Sequence, residues 1–202
     1  MTTSRIAIVY FSHTGHNQLM AEAIAEGARE DADTQADLLR ITGEQITAGR
    51  WRDDAMAATL QEAHAIVFGS PTYMGSAAAQ FKAFADWSSE VWMQQGWADK
   101  LAGGFTHAAG LSGDKLNTLV YFSILAAQHG MTWINPADHG YFEPQGNVRT
   151  NRMGSYLGVM GQSDLDPNAK EAALDASDRE SCRLFGLRLA KWTHRVFSTP
   201  PA

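Results

Sequence analysis

The chain has 202 residues, enough for one domain, 1–202, with a full core. Its formal charge of −6, with 19% charged residues and no Lys/Arg stripe, argues against nucleic-acid and membrane-surface partners. No run of about 18 apolar residues and no signal-like N-terminal segment occurs, and Cys182 is the only cysteine, so the expectation is a cytoplasmic, disulfide-free protein.

Residues 6–11 form an apolar run without alternation, the pattern of a strand buried on both faces of a parallel sheet. Leu19, Met20, Ala23, Ile24, Gly27 and Ala28 then recur at helical spacing, predicting a helix that begins near Gly15 to Asn17. Residues 35–41 predict a second strand towards an edge, and Asp53 or Asp54 caps a short helix through Ala63. Residues 65–69 predict a third buried strand, the loop 70–76 follows, and Ser76 caps a helix bearing Phe81, Phe84 and Ala85 on one face. A Gly-rich fourth strand is expected over 101–106. After it come a turn and a helix with Leu116, Leu119, Val120, Ser123, Ile124 and Ala127 at core spacing. Residues 131–134 predict a short fifth strand, 135–167 a long loop, about 170–197 a closing helix, and 198–202 a frayed tail. Cys182 shares helical spacing with Phe185, Leu189 and Trp192, which predicts a packing role.

Strands alternating with helices imply right-handed crossovers and an α/β, doubly wound five-stranded parallel sheet of order 2-1-3-4-5, with helices on both faces. Ligands bind such sheets at the carboxyl ends of the strands, near the switch in winding direction. Three turns, 12–17, 70–76 and 106–113, follow the strands that meet there. The first, Ser12-His-Thr-Gly-His-Asn17, opens a helix whose leading amides have no partner within it, an arrangement that holds a phosphate. Ser12, Thr14 and Asn17 add donors, and Gly15 lets the backbone approach closely. With no Lys or Arg in the loop and no Walker or dinucleotide fingerprint, a single phosphate monoester fits better than a triphosphate. The reading from residues alone leaves open a simple helix cap, with Ser12 or Thr14 bonding backbone amides.

Together the three turns resemble the FMN-binding pattern of the flavodoxin-like superfamily, and more closely the tryptophan-repressor-binding-protein (WrbA-type) NAD(P)H:quinone oxidoreductases and NADPH-dependent FMN reductase-like flavoproteins. The motifs are Tyr10 to Asn17 with Met20 to Gly27, Phe68 to Gly75, the 106–113 turn, Trp92 with Gln128 to Met131, and Gly154 to Gly158. The resemblance implies that Ser12, His13, Thr14, Gly15, His16 and Asn17 hold the FMN phosphate. It places Pro71, Thr72, Tyr73, Met74 and Gly75 against the flavin edge, with Thr106, His107, Ala108, Ala109, Gly110, Ser112 and Gly113 along the ring or ribityl chain. Tyr73, Trp92 and His129 would face the acceptor, with His129 as proton donor; for Trp92 and His129 ordinary packing and helix capping are the alternatives. Two departures from the family pattern are Tyr73-Met74 in place of Arg-Phe, and a third turn without the usual Thr-Gly richness.

The implied function is passage of a hydride from NADH or NADPH through FMN to a quinone or similar flat small-molecule acceptor, in a homodimer or homotetramer whose neighbouring subunits complete the pocket. The alternative is a flavodoxin-type electron carrier that binds FMN without accepting hydride. The long segment 135–167, able to cover the ring, favours the enzyme. No histidine spacing suits a metal, and Asp164, Asp166, Asp175 and Asp178 read as caps and a solvated helix face. Ser12 has no nucleophile-elbow context, so hydrolase chemistry is disfavoured.

Overall fold

The apolar run after Arg5 becomes β1 (Ser4–Phe11) in a computed structural model that describes residues 3–140, 148–164, 168 and 171–197. Parallel partners lie on both sides of β1: β2 (Thr34–Ile41) on one and β5 (Ala65–Tyr73) on the other. Next to β5 is β7 (Leu101–Ala108), whose far edge takes β8 (Thr132–Trp133) along its first half and β9 (Val159–Gln162) along its second. The order β2-β1-β5-β7-β8 is the doubly wound arrangement implied by the sequence, with a fifth strand in two pieces. Residues 131–134 and 135–167 thus need correction: the expected long loop contains β9, a four-residue strand with Gly161 inside it and too short for a periodic signal.

Helices α1 (His16–Arg29) and α6 (Ala176–Phe197) cover one face, packing on Ile6, Ile8, Tyr10, Phe105 and Val159. On the other face lie α2 (Asp54–Glu62), α3 (Ala79–Trp87) and α5 (Lys115–Gln128), packed on Val9, Ile66, Phe68 and Ala102. Asp53 caps α2 by accepting from the Met56 amide at 2.9 Å, as its position before the apolar run predicts. Cys182 is fully buried between α6 and the sheet.

Several local expectations change. Residues 70–73 continue β5, and Met74-Gly75 turns the chain back through β6 (Ser76–Ala77), so the second loop is a hairpin. Met74 (φ 47°) and Gly75 (φ 80°) both take left-handed backbone, as a two-residue hairpin requires. Ser76 therefore does not cap α3; Ser70 Oγ accepts from the Ala78 amide at 2.9 Å instead. A hairpin of β3 (Ile46–Thr47) and β4 (Arg50–Trp51), unsignalled in sequence, buries Trp51 against Phe84 and Trp87. The apolar stripe expected to face the core on α5 is correct at Leu119 and otherwise out of phase. Thr118, Leu119, Phe122, Leu125 and Ala126 are buried, whereas Leu116, Val120 and Ile124 are exposed. α5 is apolar nearly all round, so 3.6-residue spacing fits either stripe. α6 begins at Ala176; Lys170, 141–147, 165–167 and the expected tail 198–202 lie outside the described residues.

α1 and α6 cross at two glycines. A Cβ on Gly27 would lie 1.8 Å from the Arg183 carbonyl oxygen, and one on Gly186 would lie 2.0 Å from that of Ile24. Gly186→Ala is expected to force these helices apart and cost ~1–3 kcal/mol. Gly43→Ala, with nothing near its Cβ, should stay within about 0.5 kcal/mol of the parent when both variants are compared with it by urea titration.

Candidate functional site

Because β1, β5 and β7 are parallel neighbours, the segments after their carboxyl ends share one edge, and the winding direction reverses beside β1. In the first of these segments, Ser12 is buried and its Oγ accepts from the Gln18 amide at 3.2 Å. The Leu19 amide donates to Gly15 O at 3.0 Å, which leaves the amides of His16 and Asn17 as first-turn donors without a helical partner. Gly15 has φ +94°, and a Cβ there would come 2.9 Å from Ala172 Cβ, so the position requires glycine twice over. Asn17 is 2% exposed, and among the described residues its Oδ1 has no hydrogen-bond partner. His13 and Thr14 are exposed at the rim, where Thr14 Oγ1 lies 2.9 Å from His16 Nδ1.

A cation reaches this loop from elsewhere in the chain. Parallel pairing sets Arg40 of β2 opposite Tyr10, and its guanidinium donates to Ser12 O and Gln18 Oε1, both at 3.0 Å. Arg40 was not assigned a site role in the sequence; the signal was its place at the end of the strand following the βα unit.

The second segment projects from the edge as the β5–β6 hairpin. Pro71 and Thr72 are buried beneath it, Tyr73 is half exposed and Met74 is fully exposed. Its turn is tied to α5 by Asn117 Nδ2, which donates to Gly75 O at 2.6 Å. Three buried hydroxyls join it to the third segment in one direction. Thr106 Oγ1 donates to Ser70 O at 2.7 Å, so it accepts from Thr72 Oγ1 at 2.9 Å, and Thr72 in turn accepts from Thr118 Oγ1 at 2.7 Å. Each hydroxyl hydrogen is used once, and the chain holds β5, β7 and α5 in fixed register.

In the third segment Ala108 and Ala109 are half-buried, Gly110 and Ser112 are exposed, and Gly113 (φ +55°) turns so tightly that a Cβ would meet Gly110 O at 2.9 Å. His107 is buried, its ring stacked on that of His16 with centroids 4.3 Å apart and planes 10° from parallel. Burial pushes the His107 imidazole down to about 3, helped by the neighbouring His16, Lys115 and Arg152, so it is neutral at ordinary pH. Behind it Arg152 donates from Nε and Nη2 to the two oxygens of Asp178, at 2.8 and 2.7 Å. Asp178 is 1% exposed and also accepts from the Gln162 amide at 2.9 Å, which corrects the reading of Asp178 as part of a solvated face. Asp175 does cap α6, accepting from the Ser177 amide at 2.8 Å; Asp166 lies outside the described residues.

Two expected acceptor-facing residues are not brought to these segments. His129 follows the far end of α5, a helix of 14 residues and so ~20 Å long, and Trp92 ends the short α4 (Ser89–Trp92) after α3. Both lie at the amino-terminal edge of the sheet, because α3 and α5 run back from the loops. His129 is buried beside Trp97 and bonded to Ser88 Oγ at 2.9 Å; Ser88 spends its hydrogen on Ala85 O, so His129 Nε2 is the donor. Within one chain His129 is not a catalytic group of the three-loop site, nor is Trp92 part of it. The Gly154–Gly158 segment crosses the backbone of β7, where a Cβ on Gly158 would lie 2.5 Å from Gly104 O, and leaves Tyr156 half exposed.

Lys115, the first residue of α5, is fully buried, and no local pattern in the sequence marks it as such. Its Nζ donates to Gly110 O at 3.0 Å and Gly161 O at 3.1 Å, pinning the third segment to β9. Burial lowers its ammonium from 10.5 to about 8, with Asp178 opposing and Arg152 adding to the shift. Between about pH 8 and 10.5 the unfolded chain binds the extra proton, so the cost of burying the charge is relieved as pH rises, by on the order of 2–3 kcal/mol. Lys115→Met should abolish this rise. Urea midpoints at pH 7.5 and 10 check it, parent against variant.

The sequence profile of the NADPH-dependent FMN reductase family matches residues 5–139. Flavodoxin FldP of Pseudomonas aeruginosa (strain UCBPP-PA14) is 38% identical over 193 residues, covering 93% of this chain and 96% of that protein. A protein named NAD(P)H dehydrogenase (quinone) from Geotalea uraniireducens (strain Rf4) is 33% identical over 207 residues, covering 95% of this chain and 98% of its own. Among solved structures, the flavodoxin, WrbA-like protein from Agrobacterium tumefaciens is similar with a TM-score of 0.72 and 40% identity, over 95% of this chain and 98% of the other. With its strand order, its three loops at one edge and these relatives, the chain belongs to the NADPH-dependent FMN reductase family, in its flavodoxin-like, WrbA-type group.

Proposed function

We propose that this protein is an FMN-dependent NAD(P)H oxidoreductase that reduces a quinone or similar flat acceptor. The observation that carries the reading is the first loop. It has two free helix amides, a left-handed glycine and the buried, unpartnered Asn17 Oδ1, a donor-and-acceptor set that fits a phosphate ester with a hydroxylated chain attached. When bound, FMN supplies the two-electron relay, accepting a hydride from NADH or NADPH and delivering it to the acceptor.

The chain's own residues bind and orient. Ser12, His13, Thr14, Gly15, His16 and Asn17 surround the phosphate. The hairpin residues Pro71 to Gly75 and the turn at Thr106 to Gly113 bracket the ring, stiffened by the threonine chain and by Lys115. Half-exposed Tyr73 offers an aromatic face for a flat acceptor, where offset stacking contributes ~0.5–1.5 kcal/mol beyond area burial. The name of the Pseudomonas relative favours a second reading, an electron carrier that binds FMN and takes no hydride.

Anaerobic addition of NADH, then NADPH, to the FMN-loaded protein should bleach the visible flavin absorbance within the mixing time of a turnover experiment. Initial rates with a quinone should then give parallel double-reciprocal lines. Flavin that stays oxidised with both nucleotides establishes the carrier instead.

Trp92 enters this function through a second copy of the chain, in a homodimer or homotetramer. Trp92 and Met93 are exposed beside a surface depression of about 610 Å³ that also includes His129, whose Nδ1 is buried without a partner among the described residues. That edge supplies an aromatic wall, Trp92 with Met93 beside it, to the loops of a neighbour. Sedimentation should show an assembly larger than one chain, and Trp92→Ala should lower kcat/KM for quinone about tenfold with FMN still bound. A fully active monomer would sink this part of the proposal.

A further inference from the structure

Among the described residues, the phosphate loop carries no Lys or Arg of its own, and the cations near it already hydrogen-bond other protein atoms. Arg40 is committed to Ser12 O and Gln18 Oε1, Lys115 to two carbonyls and Arg152 to Asp178. We infer that His16 supplies the missing charge: it is neutral in the flavin-free protein and becomes an imidazolium when the phosphate monoester binds, so that FMN binding takes up one proton from solvent. This rests on the FMN reading above.

Only the imidazolium lets both nitrogens of His16 donate, and Thr14 decides what hydrogen on Nδ1 would do. Thr14 Oγ1 has a single hydrogen, and it lies 2.9 Å from His16 Nδ1. If that nitrogen is bare, Thr14 donates to it and turns only lone pairs towards the phosphate. If Nδ1 carries hydrogen, the ring donates to Thr14 and frees the hydroxyl hydrogen for a phosphate oxygen. Among the described residues, Nε2 of His16 makes no hydrogen bond, so the second imidazolium hydrogen is also available to the anion. The amides of His16 and Asn17 and the unpartnered Asn17 Oδ1 mark the same place as a ligand site independently of the histidine.

The stacked partner makes His16 the ring that titrates. His107 is buried, sits 3.2 Å from Ser163 Oγ through Nε2 and stays neutral, so His16 is the ring of the pair that takes up a proton. A neutral ring face against an imidazolium is favourable. Before binding, partial burial holds His16 below its ordinary value, and it starts unprotonated at pH 7.5. The other charged groups around the pair come from several elements. His13 lies in the loop, Arg40 on β2 and Glu22 on α1, where it accepts from Gln18. Lys115 of α5 and the Arg152–Asp178 pair stand behind His107. Lys115 and Arg152 oppose a second positive charge; the incoming dianion is what reverses that balance.

The test is calorimetric titration of flavin-free protein with FMN and with riboflavin at pH 7.5, in HEPES and in Tris, whose ionisation enthalpies differ. The phosphate of FMN is already mostly dianionic at that pH, its second pKa being about 6. Uptake of roughly 0.5–1 proton per FMN is expected, none with riboflavin, and none with FMN in His16→Asn. The FMN Kd of the parent should rise by up to about tenfold per pH unit above pH 7, while that of the variant stays flat. Equal binding enthalpies in the two buffers, or uptake that persists in His16→Asn, would overturn the inference. Failure of the parent to bind FMN at all overturns the FMN reading itself.

Discussion

Parallel pairing of β1, β5 and β7 is the constraint on which the rest of the site depends. In one row across the sheet, Tyr10 opposes Gly69 and Gly69 opposes Phe105. Gly69 is required by packing rather than by its backbone angles, since a Cβ there would lie 2.1 Å from the Phe105 ring. The glycine lets Phe105 lie flat across β5, with α1 and α6 closing over it. The next inward-facing residue on β7 is His107, which the same geometry carries over to His16 at the start of α1. A residue from the third segment thereby forms part of the wall of the first.

Rigidity on the opposite face comes from hydroxyls rather than apolar bulk. Thr72, Thr106 and Thr118 form a buried chain ending on Ser70 O, and each bond contributes about 1 kcal/mol only while the others are satisfied. On the α1 face the charged groups Lys115, Arg152 and Asp178 play the corresponding part, drawing β9, the third segment and the start of α6 together. These interactions stiffen the backbone of the second and third segments. Tyr73 and Met74, at the tip of the hairpin, are presented to solvent.

Much of this was legible in the residues. The buried strands at 6–11 and 65–69, an acidic cap at Asp53 or Asp54 and the turn after the first strand were readable, because long apolar runs and helix-start chemistry are local signals. The phase of α5 was legible only in part: Leu119 is buried as expected, but Leu116, Val120 and Ile124 also fit helical spacing and are exposed, while Phe122 and Ala126 are buried. β9 was hidden by its length and its glycine. Asp178 looked like a surface acid because its partner, Arg152, is 26 residues away in sequence.

The sequence by itself determined the winding of the sheet and which turns follow its strands, because alternating strands and helices with right-handed crossovers leave few topologies. It also determined that the first turn would present unpaired amides, a property of any helix start. Tertiary structure alone decided which side chains meet there. Arg40 reaches the loop through strand register, His16 and His107 meet across the width of β5, and His129 and Trp92 are carried to the opposite edge by helices that run back from the loops. Such meetings depend on the direction and packing of whole elements, and no local pattern encodes them.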